Sequence, residues 1–168
     1  MIIRQARIED IPAVTDIQIG GWLAAYRGII SNEDLEKVEN SRAERIARHT
    51  NSSMQSGFIV AENDGQIVGF CRFIDNDSFS PDFGVDCELL ALYVKPDCKR
   101  QGIGKALMNY VKDEFKKRGK KRMILWCLRD NYPSRAFYEA MGGKLADRGK
   151  EFDLDGHKYP EAGFIYEL

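Results

Sequence analysis

Leu89-Leu90-Ala91-Leu92-Tyr93-Val94-Lys95-Pro96-Asp97-Cys98-Lys99-Arg100-Gln101-Gly102-Ile103-Gly104-Lys105-Ala106-Leu107 joins an apolar strand, a proline stop, a short basic turn and two glycines that open an amphipathic helix. A strand feeding a glycine-bearing turn at a helix start is the layout of a pyrophosphate cradle, in which backbone N–H groups meet an anion with no side chains in the way. Two familiar versions fail at defined positions. The dinucleotide fingerprint G-x-G-x-x-G has Leu107 where its third glycine belongs. The P-loop G-x-x-x-x-G-K-[ST] has Lys99 for its first glycine and Ala106 for its hydroxyl residue. Taken alone, the two glycines also read as mere punctuation at a helix entry.

Outward from this stretch the chain alternates strands and helices. Downstream, Ile103, Leu107, Val111 and Phe115 recur every fourth residue along one helix face, and Gly119 ends the helix. Met123 to Leu128 is a buried strand, Ser134 to Met141 a short helix stopped by Gly142-Gly143, and two last strands, Lys144–Phe152 and His157–Leu168, flank the turn Asp155-Gly156. Upstream, Cys87 to Val94 is a nearly continuous apolar strand, as in a buried central one. It follows a polar loop, Asp75 to Asp86, and a hairpin, Gly57–Glu62 and Gln66–Ile74, about Asn63-Asp64-Gly65. Met1 to Ala6 is a strand. Asp10 is the N-cap candidate of a helix running from Ile11-Pro12 to Tyr26, weakened by about 1 kcal/mol at each of Gly20 and Gly21 and open to a bend there. Ser31 and Asp34 form a capping box for a second helical stretch, broken near Asn40-Ser41, that reaches about His49. The order is β-α-α-β-β-β-α-β-α-β-β, a mixed α/β chain. No internal repeat or linker interrupts residues 1–168, so one domain is expected.

Composition narrows the function classes. With 168 residues the chain can bury a core without disulfide staples, and a formal charge of −1 gives no global nucleic-acid or membrane signature. No apolar run approaches the roughly 18 residues of a membrane span, and the charged start MIIRQARIED is no signal peptide. Cys71, Cys87, Cys98 and Cys127 fit no common zinc spacing, and they read as reduced thiols of a cytoplasmic protein. With His49 and His157 as its two histidines, no metal site is expected. The basic run Lys116 to Arg122 sits at a helix C-terminus, where cations complement the dipole; nucleic-acid binding through it is the weaker reading, and no nucleic-acid partner is expected.

The strand, turn and helix together resemble the acyl-CoA-binding core of the GNAT superfamily of N-acyltransferases, whose turn is Arg/Gln-x-x-Gly-x-Gly/Ala. Lys99-Arg100-Gln101-Gly102-Ile103-Gly104 matches it except for lysine at the first position. Asn131, Ala136-Phe137-Tyr138-Glu139 and Met141-Gly142 resemble the family's N-x-x-A-x-x-F-Y-E-x-x-G segment, and Glu88 stands where several members carry an acidic residue. The resemblance extends over nearly the full chain. It implies a mixed, mostly antiparallel central sheet with a splayed pair of strands flanked by helices, and it implies acetyl-CoA as cosubstrate with no metal.

The implied reaction is acyl transfer from a thioester to an amine of small-molecule or peptide origin, by direct attack in a ternary complex. By resemblance, the Leu92 N–H holds the thioester oxygen and Tyr93 and Val94 run beside the pantetheine arm. Lys99, Arg100, Gln101, Gly102, Ile103, Gly104 and Lys105 take the pyrophosphate, while Asn131, Ser134, Arg135 and Tyr138 complete the cofactor contacts. Tyr138 is the candidate acid for the leaving thiolate, since a phenol with a pKa of about 10 is protonated at neutral pH. Glu88 is the candidate base, through water. Trp22 and Tyr26, four apart on one helix face, either line the acceptor pocket or are core aromatics. The aspartates of the 75–86 loop would attract a cationic amine, or are solvated. A homodimer is compatible with the family, and a non-catalytic acyl-CoA-binding module is the second reading.

Overall fold

The structure, a computed structural model, describes residues 1–53 and 57–168. The elements are β1 (Ile2–Gln5), α1 (Ile11–Tyr26), α2 (Asn32–Asn40), α3 (Arg42–Ser53), β2 (Phe58–Asn63), β3 (Gln66–Ile74), β4 (Cys87–Val94), α4 (Ile103–Lys117), β5 (Arg122–Leu128), α5 (Tyr132–Ala140), β6 (Lys144–Leu145), β7 (Lys150–Leu154) and β8 (His157–Glu167). The chain packs as two compact units, one of Met1–Arg72 with Ala91–Tyr110 and one of Phe73–Leu90 with Val111–Leu168. Its sheet is open and mostly antiparallel with helices flanking it, as the sequence predicts. Among the described residues no helix is long and apolar enough to cross a membrane.

In the first unit the strand order is β1-β2-β3-β4. Alternating apolar positions of β2 and β3 meet one face of α1: Ile11, Val14, Ile17, Phe58, Val60 and Phe70 form the core, with Ala91 and Tyr93 packed against it. Helix α1 runs unbroken through Gly20 and Gly21. The glycines make room: a Cβ at Gly21 would stand 2.8 Å from the Tyr93 ring, and one at Gly20 3.7 Å from Pro96. Asp10 stands at the N-cap position of α1 as expected, but its side chain makes no cap hydrogen bond to that helix. A 3-10 turn, Ile8–Asp10, precedes that helix, and the Asp10 carboxylate accepts from the Arg7 amide at 2.7 Å and from both Arg4 Nη atoms at 2.7 and 2.9 Å. Arg4 outbids the helix because it offers a two-pronged charged donor. The Ser31 cap is as predicted, its Oγ accepting from the Asp34 amide at 3.1 Å, and the chain breaks between α2 and α3 at Ser41.

In the second unit the order is β4-β5-β8-β6, with β7 also on β8. The pairing of β4 with β5 is parallel and runs from Cys87 to Leu89 among the described residues. Beyond that point β4 loses the burial its composition predicts: Cys87, Glu88 and Leu89 are buried, whereas Leu90 is exposed and Ala91 to Val94 are half-buried. The single strand expected over 144–152 is two. The Ala146 amide still donates to Gly163 O of β8 at 2.9 Å, and residues 147–149 then interrupt the strand while Arg148 reaches the Asp82 carbonyl at 3.0 Å and lies 4.7 Å over the Phe83 ring. The basic run and the acidic loop are tied together at two aspartates. Arg118 pairs with Asp75 at 3.4 Å, and Asp86 accepts from the Lys121 and Arg122 amides at 3.0 Å. Against the upward push of burial, those two amides hold the Asp86 carboxyl below the usual carboxylate range.

Candidate functional site

The glycine turn lies wholly in the first unit. The Lys95 amide still belongs to the sheet, donating to Val68 O at 2.9 Å, and Pro96–Cys98 then form one 3-10 turn closed by the Cys98 amide on Lys95 O. Two residues take positive φ, Arg100 at 65° and Gly102 at 82°, and α4 starts directly afterwards, with the Ala106 amide on Gly102 O at 2.9 Å. Among the described residues, the amides of Gly102, Ile103, Gly104 and Lys105 donate to no carbonyl. Those are the unsatisfied donors of a helix start, at its positive end, on an exposed turn. Ile103 and Leu107 anchor it below, both buried, where a Cβ at Gly69 of β3 would crowd them at 3.2 Å. Lys99, Arg100, Gln101 and Lys105 are exposed, so the turn can present both amides and cations to a polyphosphate.

Behind the end of β4 stands an aromatic stack in the same unit. Tyr93 lies on Phe70 with ring centres 5.4 Å apart, and its hydroxyl accepts from Trp22 Nε1–H at 2.8 Å. Trp22 meets Tyr26 edge-on at 4.9 Å. Trp22 is thus buried and hydrogen-bonded, and Tyr26 is half-buried beside it. The Tyr93 side chain is committed to α1, so any cofactor contact from this position falls to its backbone. Leu92 and Val94, its neighbours on β4, are half-buried.

The other predicted residues lie in the second unit. Glu88 is buried at 1% exposure and each of its carboxylate oxygens accepts one hydrogen bond: Oε1 from the Phe79 amide at 2.8 Å and Oε2 from Ser80 Oγ at 2.9 Å. Ser80 Oγ in turn accepts from Trp126 Nε1–H at 2.9 Å. Neither Ser80 nor Trp126 was singled out by sequence; they are 46 residues apart and carry no motif. Asn131 is buried and caps α5 through the Ser134 amide at 3.3 Å. Arg135 donates to the Arg129 carbonyl at 3.0 Å. Tyr138 is buried, its ring 5.8 Å from Phe164, and its carbonyl accepts from the Tyr166 hydroxyl at 2.9 Å.

The thiols are all unpaired. Cys71, Cys87 and Cys127 are buried and pushed up by desolvation, Cys127 to about 12, which leaves them inert. Cys98 is half-exposed in the turn before Lys99. Among the described residues no group of three His, Cys, Asp or Glu side chains could hold a metal ion.

Residues 23–143 match the acetyltransferase (GNAT) family. A spermidine N(1)-acetyltransferase of Thermoplasma acidophilum is 29% identical over 161 residues, 91% of this chain and 94% of that protein. A peptidyl-lysine N-acetyltransferase, YiaC of Escherichia coli, is 26% identical over 146 residues, 87% of this chain and 85% of its own length. The crystal structure of PaiA N-acetyltransferase from Thermoplasma acidophilum, in complex with coenzyme A, superposes with a TM-score of 0.76 at 25% identity, covering 99% of this chain and 98% of that one. The match takes in the glycine turn, β4 and α5 together, and with it the chain belongs to the GNAT family and is an N-acetyltransferase.

Proposed function

We propose that the whole of residues 1–168 works as one acyltransferase domain, moving the acetyl group of acetyl-CoA to a primary amine by direct attack in a ternary complex. The observation that carries this reading is the run of unsatisfied amides from Gly102 to Lys105, set between two positive-φ turns and a helix start. The Leu92 N–H polarises the thioester carbonyl, a role worth about 3 kcal/mol for one oxyanion donor. Val94 pairs with the pantetheine arm, and residues 99–105 take the pyrophosphate. Tyr138 gives its phenolic proton to the leaving thiolate. Glu88 receives the amine proton through water; Phe79 and Ser80 occupy one lone pair on each of its oxygens and leave the others open. No cysteine is assigned as an acyl carrier, because the three buried thiols are held protonated. The same unpaired thiols support a cytoplasmic setting.

The test is thiol release from acetyl-CoA over a panel of amines, with Tyr138→Phe and Glu88→Gln beside the native chain. Loss of kcat by about 10²-fold or more in Tyr138→Phe, with the KM for acetyl-CoA held, supports the acid role. Unchanged rates in both variants would remove both assignments.

A further inference from the structure

The first unit holds a guanidinium with no ion pair among the described residues. Arg45 of α3 is 7% exposed. Its Nε donates to Ser41 Oγ at 2.7 Å, its Nη1 to Gln18 Oε1 at 2.9 Å, and its guanidinium carbon lies 5.3 Å from the centre of the Trp22 ring. Each of these partners is neutral. Among the described residues no carboxylate pairs with it and nothing accepts from Nη2. The residues outside the description, Met54-Gln55-Ser56, include no Asp or Glu. Glu44, the adjacent acid, is paired with Arg48.

The surroundings add positive charge. Arg72 of β3 is half-buried with its guanidinium 5.5 Å over the Phe58 ring, and it too has no ion pair among the described residues. Gln18 Oε1 is shared, accepting also from His49 Nε2 at 2.9 Å, while His49 Nδ1 is buried without a partner. The His49 ring is held neutral, pushed down to about 4 by burial and by Arg72, Arg45 and Arg48. The one carboxylic acid that acts on Arg45 is Glu44, through space, and it is shared with Arg48; among the described residues no carboxylate is ion-paired with Arg45. A largely buried guanidinium with no paired counter-charge is costly, and a bound anion at the nitrogen that has no partner lowers that cost. From Arg45 the path to the reacting strand is short. Trp22 lies under the guanidinium and donates to Tyr93, which sits between Leu92 and Val94 on β4.

We propose that Arg45 binds an oxyanion, a carboxylate or phosphoryl group, carried by the amine acceptor, so that the preferred acceptor is an amine that is also an anion and not a polyamine. This rests on the acyl-transfer reading above and names its substrate class. The shared chemistry is a planar or tetrahedral oxyanion meeting the unshared side of a guanidinium fork.

Matched acceptors test it on the native enzyme: α-amino acids against their amides, phosphoethanolamine against ethanolamine, and spermidine. The anionic member of at least one pair should exceed its neutral partner and spermidine by tenfold or more in kcat/KM, and the pair that responds tells carboxylate from phosphoryl. Arg45→Gln should erase that preference while the KM for acetyl-CoA stays within about twofold; Arg45→Lys should keep part of it. Spermidine used as well as every anionic amine would overturn the proposal, as would an equal loss across both members of a pair in Arg45→Gln. The native comparison needs no variant, so a misfolded Arg45→Gln does not shelter it. A second measurement separates the two readings. Inorganic phosphate or acetate, at constant ionic strength, should raise the Tm of the native chain saturably. No saturable rise with either ion overturns the anion site. A rise with no thiol release from any amine overturns the acyl-transfer reading and leaves the anion site standing.

Discussion

Gly21 and Tyr93 are fitted to each other: the tyrosine ring occupies the space where any other residue at position 21 would carry its Cβ, 2.8 Å from Tyr93 Cδ1. The contact lets the ring lie against α1, stack on Phe70 and take the Trp22 indole proton. A helix glycine that looks like a weak point is thus what seats the aromatic group behind the end of β4.

Gly21→Ala should therefore destabilise the fold despite alanine's better helix propensity. Overpacking of this kind costs about 1–3 kcal/mol, which exceeds the roughly 1 kcal/mol gained from propensity. Urea titration gives the stability change, and a near-ultraviolet dichroism change would report the disturbed Trp22–Tyr93 pair. A more stable variant with an unaltered spectrum would contradict the packing account.

Gly102→Ala tests the turn. Nothing lies within 4 Å of a Cβ there, so the penalty is conformational only, about 1–2 kcal/mol for an L-residue at a φ of 82°. Because the turn is exposed, the change should appear as weaker acetyl-CoA binding, by about tenfold in a calorimetric titration, more than as lost global stability.

Ser80→Ala removes a hydroxyl that accepts from Trp126 and donates to Glu88. One half-buried indole N–H and one buried carboxylate oxygen each lose a partner, and the carboxylate oxygen left unsatisfied should cost about 1–3 kcal/mol. Urea unfolding checks the size. Rate measurements on the same variant show whether the tie also serves Glu88 in turnover.

His49 gives the chain a pH-dependent weakness. Its folded pKa lies at about 4 against an ordinary 6.5. Above pH 6.5 both states are neutral there and nothing is lost. As pH falls from 6.5 towards 4, the unfolded chain takes up a proton that the folded one refuses, so stability drops through that window. By pH 5 the loss is about 2 kcal/mol. Urea midpoints at pH 7 and pH 5 should differ by more in the native chain than in His49→Gln.

Features set by near neighbours were legible in the sequence. Pro96 ends β4, the fourfold spacing from Ile103 to Phe115 sets the buried face of α4, and Ser31 caps α2. What was not legible depends on distant partners. Arg4 draws the Asp10 side chain away from α1, and Arg148, between β6 and β7, reaches a carbonyl 66 residues back. The four aspartates of the 75–86 loop looked available for a cation, but Asp75 and Asp86 are held by the basic segment that follows α4. At the site, the backbone cradle was readable because it is made by a turn and a helix start. The Glu88–Ser80–Trp126 tie and the Arg45 contacts were not, since each is defined by which side chains meet.

Three of the four thiols are sealed inside the protein and one, Cys98, stands half-open on the turn that leads to Lys99. A thiol-reactive dye, applied at mildly alkaline pH to offset the raised pKa of Cys98, would attach at one position without any prior cysteine removal. The native chain thus already offers a labelling position beside its glycine turn, and addition of acetyl-CoA could be followed there on the unaltered sequence.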